Sequence, residues 1–179
     1  SELFNKSEIS GVFENTGVMI DGLVTTVKTQ ANFAGTPTVL REIILNNEVN
    51  EEFYISPNDL EKWQYLKGSK KELRINAQGF EYNYSEGGMS FPDSLDKPSR
   101  TIITGEGGKS ASRFKHVIET PKGHRRLAPV ELERLNMFPD DHTKLAGVTD
   151  TKRAFFMGNA LVVGVIEKIG VALQRAIEK

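Results

Sequence analysis

The sequence predicts an α+β fold: a small mixed domain of short antiparallel strands and helices, followed by a C-terminal amphipathic helix whose apolar stripe needs a cover. Three observations carry this. Asp21-Gly22 sits between two β-prone runs, where its tolerance of positive φ suits a tight type I′ turn. Short β-prone runs flank Gln78-Gly79. Val162, Ile166, Ile169, Leu173 and Ile177 recur at spacings of four, three, four and four, the stripe of an amphipathic helix.

In chain order, Val18–Ile20 and Leu23–Thr26 form the first hairpin, and Thr38–Leu45 has a helical apolar pattern. Ser56 is placed to cap a helix whose first turn accepts Pro57, with Leu60, Trp63 and Leu66 on its core face. Arg74–Asn76 and Phe80–Tyr84 read as strands, and Gly87-Gly88 and Pro92 mark a loop. Arg100–Thr104 and Arg113–Ile118 read as two more strands, joined by the glycine-rich stretch 105–112. Pro129 opens a helix with Leu132 and Leu135 on one face, ended by Pro139. Ala128 stands at its cap position without a side-chain acceptor, which weakens the start by about 1 kcal/mol.

Composition excludes several chemistries. With no cysteine among 179 residues there is no thiolate, disulfide or thiolate metal site, and His116, His124 and His142 are too scattered for a metal motif. A formal charge of −1 rules out a uniformly basic nucleic-acid binder, so DNA contact requires clusters. Lys97, Arg100, Lys109, Arg113, Lys115, Lys122, Arg125 and Arg126 form one, and Lys62, Lys67, Lys70, Lys71 and Arg74 another. No run approaches about eighteen uninterrupted apolar residues and no signal peptide opens the chain, so a cytoplasmic protein with no membrane partner is expected. Ser1 in place of methionine favours a piece of a longer protein.

Thr101–Ser110 resembles a strand entering a phosphate loop, since Gly108-Lys109-Ser110 supplies that motif's ending. Ile103 stands where the motif needs a glycine, and the following residues alternate like a strand, so the nucleotide-binding alternative is weak. The same glycines permit close backbone approach to DNA. Lys109, Ser110, Ser112 and Arg113 offer phosphate donors, and Arg113 a fork for guanine.

The run Arg126-Leu127-Ala128-Pro129-Val130-Glu131-Leu132-Glu133-Arg134-Leu135, its Phe138-Pro139-Asp140 stop, and Gly158-Asn159-Ala160 before the last helix resemble the final two motifs of DNA cytosine-5 methyltransferases. Thr101-Ile102, about twenty-five residues earlier, resembles the threonine–aliphatic pair of their target-recognition region. Phe156 and Val162 depart from the glutamine and proline common there. Phe13-Glu14-Asn15-Thr16 superficially resembles the acid motif but is misplaced, and reads as a loop.

The resemblance implies that residues 1–125 are a target-recognition domain, 126–157 a motif helix and connection, and 158–179 a helix belonging to a Rossmann-like catalytic domain absent from this chain. It implies double-stranded DNA as partner, contacted by Arg100, Thr101, Lys109, Ser110, Ser112 and Arg113. S-adenosylmethionine would be the cofactor, with Asn159 and Ala160 at its amino-acid end. No catalytic or metal-binding residue is expected. Catalysis would belong to an N-terminal catalytic domain or a separate catalytic subunit, and the alternative is a noncatalytic DNA-binding module.

Overall fold

The computed structural model describes residues 14–46 and 49–178, so Ser1 and Phe13 lie outside the described residues. The chain divides into two compact units, Ser1–Thr36 and Pro37–Lys179. In the first, β1 (Thr16–Ile20) pairs antiparallel with β2 (Leu23–Val27). Asp21 and Gly22 both have positive φ, 48° and 81°, as the Asp-Gly pair predicts. Of the stretch read as a loop, Glu14 and Asn15 precede β1 but Thr16 opens it, paired with Val27, and the Asn15 amide closes the hairpin base on the backbone N–H and carbonyl of Thr29.

The second unit carries α1 (Leu40–Ile43), a 3₁₀ turn (Glu51–Phe53), α2 (Pro57–Lys67), the hairpin β3 (Lys70–Ile75)–β4 (Glu81–Glu86), the hairpin β5 (Val117–Thr120)–β6 (Gly123–Arg126), α3 (Pro129–Leu135), α4 (Asp150–Asn159) and α5 (Val163–Ile177). The core sits where α1, β5–β6, α3 and α4 meet: Leu40, Ile118, Leu127, Leu132, Ala154 and Met157 are its buried members. Val49, Phe53 and Ala128 form a smaller cluster beside it.

Several elements differ from expectation for identifiable reasons. The Thr38–Leu45 helix shrinks to α1, because the N–H groups of Leu40 and Arg41 bond the carbonyls of Lys97 and Leu95. Ser56 does not cap α2 by accepting; its hydroxyl donates to the Asp59 carboxylate. Trp63 is buried as expected, while Leu60 and Leu66 are half-buried. Residues 100–104 form no strand, and 113–116 join none. The Val117 backbone instead bonds Asp93: Asp93 N–H donates to its carbonyl at 2.7 Å, and its own N–H donates to the side-chain Oδ2 of Asp93 at 2.8 Å. The expected pairing of 100–104 with 113–118 is replaced by a hairpin of Val117–Thr120 with Gly123–Arg126, a segment not expected to be a strand.

α3 ends at Leu135, where Met137 takes a positive φ of 62°, ahead of Pro139. Its missing cap is supplied from the other side: Glu131, three residues in, accepts from Ala128 N–H at 2.6 Å. The final stripe stays uncovered among the described residues. No residue of α5 is buried, and Ile166, Ile169, Leu173 and Ile177 face outward. The stretch Asp150–Ile177 has the length and apolar composition to cross a membrane. Extended backbone at Ala160 and Val162 divides it, however, and fifteen-residue α5 spans only about 22 Å against roughly 30 Å of hydrocarbon.

Candidate nucleic-acid interface

Segment 99–110 is held by charged groups turned inward. Arg126 donates to the carbonyls of Gly107, Gly108 and Glu52, and Lys115 to those of Gly108 and Ser110. Glu106, buried, accepts His116 N–H and lies 2.9 Å from His116 Nδ1, while Ser99 Oγ lies 3.0 Å from the ring's Nε2. Burial lowers the pKa of both Lys115 and Arg126. Gly107 sits so close to α4 that a Cβ would fall 2.7 Å from Thr151 Cα and 2.8 Å from Ala154 Cβ. The loop is a fixed platform, with Lys109 projecting from it to Glu52 at 3.2 Å.

Beneath the platform lies a second ionic layer. Arg100 spans both oxygens of Asp93 (2.8 and 3.1 Å) and the carbonyls of Phe114 and Lys115. Burial alone would raise the Asp93 pKa; the bonds from Arg100 and Val117 outweigh it and hold the carboxyl below its ordinary range. Lys67, fully buried 3.8 Å from Asp93, is pushed below the usual lysine range by desolvation despite that carboxylate. Arg125 and Glu131 form a buried bidentate pair at 2.8 and 2.6 Å. The Arg125–Glu131 pair ties β6 to α3, while Asp93 joins Arg100, the start of β5 and Lys67 of α2.

This scaffold brings the Thr101-Ile102 segment to Gly158. A Cβ at Gly158 would lie 2.4 Å from Thr104 Cα, so only glycine lets α4 approach that backbone. A cleft of about 320 Å³ opens there, lined by Ser99–Ile102 on one side and Asn136, Met157, Gly158, Ala160 and Val162 on the other. Asn136 fixes its far wall, donating to Met157 O at 2.7 Å and accepting Val163 N–H at 3.0 Å. Ala160 lines the cleft; Asn159 does not, its amide folding back on Phe155 O. The lining holds no carboxylate to receive an ammonium and a ribose diol, so this cleft does not by itself fit S-adenosylmethionine.

A second cleft, about 350 Å³, lies between β3–β4 and residues 111–114. Strand alternation places Lys70, Glu72 and Arg74 opposite Glu86, Tyr84 and Tyr82. Arg74 stacks 3.4 Å over the Tyr84 ring, and Lys70 lies 4.8 Å over that of Tyr65. Glu86 is the hub: it accepts from Tyr84, Lys70 and Arg113, and the Tyr84 hydroxyl foremost, then the lysine bond and the neighbouring cations, holds its carboxyl below the ordinary range. Arg113 also donates to Gly87 O at 2.7 Å. Aromatic rings interleaved with cations over an open cleft suit a nucleic acid.

Residues 12–175 match the family model described as C-5 cytosine-specific DNA methylase. The chain belongs to that family. It is 41% identical over 163 residues to the type II methyltransferase M.Sau3AI of Staphylococcus aureus, covering 91% of this chain but 38% of that relative's length. The fold resembles that of the Dnmt2 methyltransferase of S. pombe (TM-score 0.57, 14% identity, 84% of this chain and 44% of the other). It also resembles methyltransferase EhMeth of Entamoeba histolytica (TM-score 0.53, 15% identity, 87% and 46%).

For this methylase-family chain, the residues singled out from sequence divide among three places. Ser112 and Arg113 line the β3–β4 cleft; Arg100 and Thr101 line the Gly158 cleft; Lys109 and Ser110 are exposed on the platform. The first basic cluster is no single solvated face, because Lys115, Arg125 and Arg126 are buried within it. Glu86, Tyr84 and Tyr65 escaped sequence reasoning; the signal was the alternation of charge and aromatic residues across Lys70–Glu86.

Proposed function

We propose that this chain is the DNA-recognition portion of a DNA (cytosine-5)-methyltransferase of restriction-modification type, acting in the cytoplasm on double-stranded DNA. The chain spans about 38% of the curated relative it matches. The observation that carries the reading is the Gly158 contact, at which the Ile103-Thr104 backbone, continuous with Thr101-Ile102, packs on the end of α4 within the Gly158-Asn159-Ala160 motif. Residues 1–125 supply recognition, 126–157 the motif helix and connection, and 158–179, the end of α4 followed by α5, a segment that docks on a Rossmann-like catalytic domain or separate catalytic subunit. Arg113, Ser112, Lys109 and Ser110 contact DNA; Arg100, engaged by Asp93, fixes the neighbouring Thr101 toward it. S-adenosylmethionine binds chiefly to the catalytic part, with Asn159 and Ala160 at the edge of its pocket.

The chain has no cysteine, hence no thiolate to add to the cytosine ring. Incubated with labelled S-adenosylmethionine and mixed-sequence duplex, it is expected to transfer no methyl group alone and to support C5 labelling once the catalytic part is added. Labelling by the isolated chain overturns the division of labour. DNA binding without any restored transfer favours a noncatalytic DNA-binding module.

A further inference from the structure

We propose that the β3–β4 ribbon extends the DNA-reading surface beyond residues 100–113, with Glu86 at its centre as a specificity-determining positioning residue that holds Arg113 for a base edge. The inference rests on the recognition reading above.

Lys70 and Arg74 on the ribbon and Arg113 across the cleft give three cations against two carboxylates, Glu86 in the lining and Glu72 paired with Arg74. That excess favours an anionic polymer, and a two-stranded ribbon is an element the major groove of DNA, about 12 Å wide, admits. Tyr65 and Phe114 stand more than half exposed at the rim, although each has a cation against its ring. What distinguishes the cleft from a phosphate site is its hub. A carboxylate bonded to Lys70 and Arg113 opposes a second anion between them, since like charges that close repel.

Glu86 and the Gly87 carbonyl occupy one donor on each terminal nitrogen of Arg113. A guanidinium has five donors in one plane, so three remain, their direction fixed by the two bonds already made. A fork so held matches the paired O6 and N7 acceptors of guanine better than it matches a mobile phosphate. Arg74, stacked on Tyr84 and bonded to Glu72 at 2.9 and 3.1 Å, is a second immobilised fork on the same face.

The test selects preferred duplexes from a randomised pool with the full chain, then compares affinity for the preferred and a scrambled duplex at two salt concentrations. Glu86→Gln removes the charge and keeps the shape. It is expected to lower the preferred-to-scrambled ratio about tenfold at one base pair, with scrambled affinity unchanged or raised; Glu86→Asp, which restores the charge, recovers part of the ratio. A purely structural ion cluster gives no such split. Selective binding with an unchanged ratio in Glu86→Gln overturns the Glu86 assignment alone, leaving Arg113→Ala to test the recognition reading. A parent chain that binds no duplex overturns both.

Discussion

β5–β6 and β3–β4 are both short antiparallel hairpins rich in charge, and they spend that charge oppositely. β5–β6 buries Arg125 and Arg126, one on the Glu131 carboxylate and the other on main-chain carbonyls, beside Val117 and Ile118. β3–β4 keeps Lys70, Arg74 and Glu86 at an open cleft and leaves Leu73, Ile75 and Phe80 exposed. The difference lies in what surrounds each hairpin. α1, α3 and α4 enclose β5–β6, so its cations must be satisfied internally, and they become ties between elements. On the ribbon the same residue types remain available to a ligand. A basic residue in the sequence is thus evidence of a binding surface only once burial is known.

The comparison breaks most visibly at Arg125–Glu131. Glu131 receives Arg125, Ala128 N–H and Leu45 N–H, so Glu131→Ala strands a buried guanidinium and uncaps α3 at once. A loss of about 3–5 kcal/mol is expected in denaturant unfolding. Arg74→Ala on the ribbon, at a pair more than a third exposed, should cost under 1 kcal/mol. Equal losses would mean that the ribbon is structural as well.

Next in size is Asp93→Asn, expected to cost about 1.5–3 kcal/mol at neutral pH because Lys67 and Arg100 lose their common counter-charge. The folded carboxyl of Asp93 lies below its unfolded value, near 3.9. Its contribution is therefore complete above that pH and is lost as pH falls through the folded value. The gap between parent and variant should close below about pH 4 in acid titrations followed by circular dichroism; a constant gap would assign the loss to packing.

How much of this could be read from the sequence follows the same line. Period and turn chemistry are local, so the Asp21-Gly22 hairpin, α2, and strands flanking Gln78-Gly79 were legible. The motif residues 126–140 and 158–160 were legible as a family pattern. The strand expected at 100–104 was not to be found, because a side chain seven residues earlier, Asp93, takes Val117's N–H. Nor did the sequence disclose that Glu106 turns inward to His116, or that Glu86 gathers Lys70 from β3 and Arg113 from a distant segment beside Tyr84 of its own strand. Such bonds depend on contacts that no local pattern records.

The smallest expected effect concerns two adjacent helices, α4 and α5, which sharpen the contrast between enclosed and open elements. α4 buries Arg153, Ala154 and Met157, whereas α5 buries nothing, although its apolar stripe is the stronger of the two. Its start is fixed by Val163 N–H on Asn136 O and by Gly164, where a Cβ would fall 2.6 Å from Met137 Sδ. Ile169, more than half exposed, should therefore tolerate Asp with less than about 0.5 kcal/mol change in the unfolding of this chain. The same substitution places a charge in the centre of the face proposed to dock on the catalytic part. Association measured by titrating that part against each variant should weaken at least tenfold for Ile169→Asp, while melting of the isolated chain stays put. Unchanged association would mean that the stripe is not the docking face, and a lowered melting temperature would mean that α5 packs against its own chain after all.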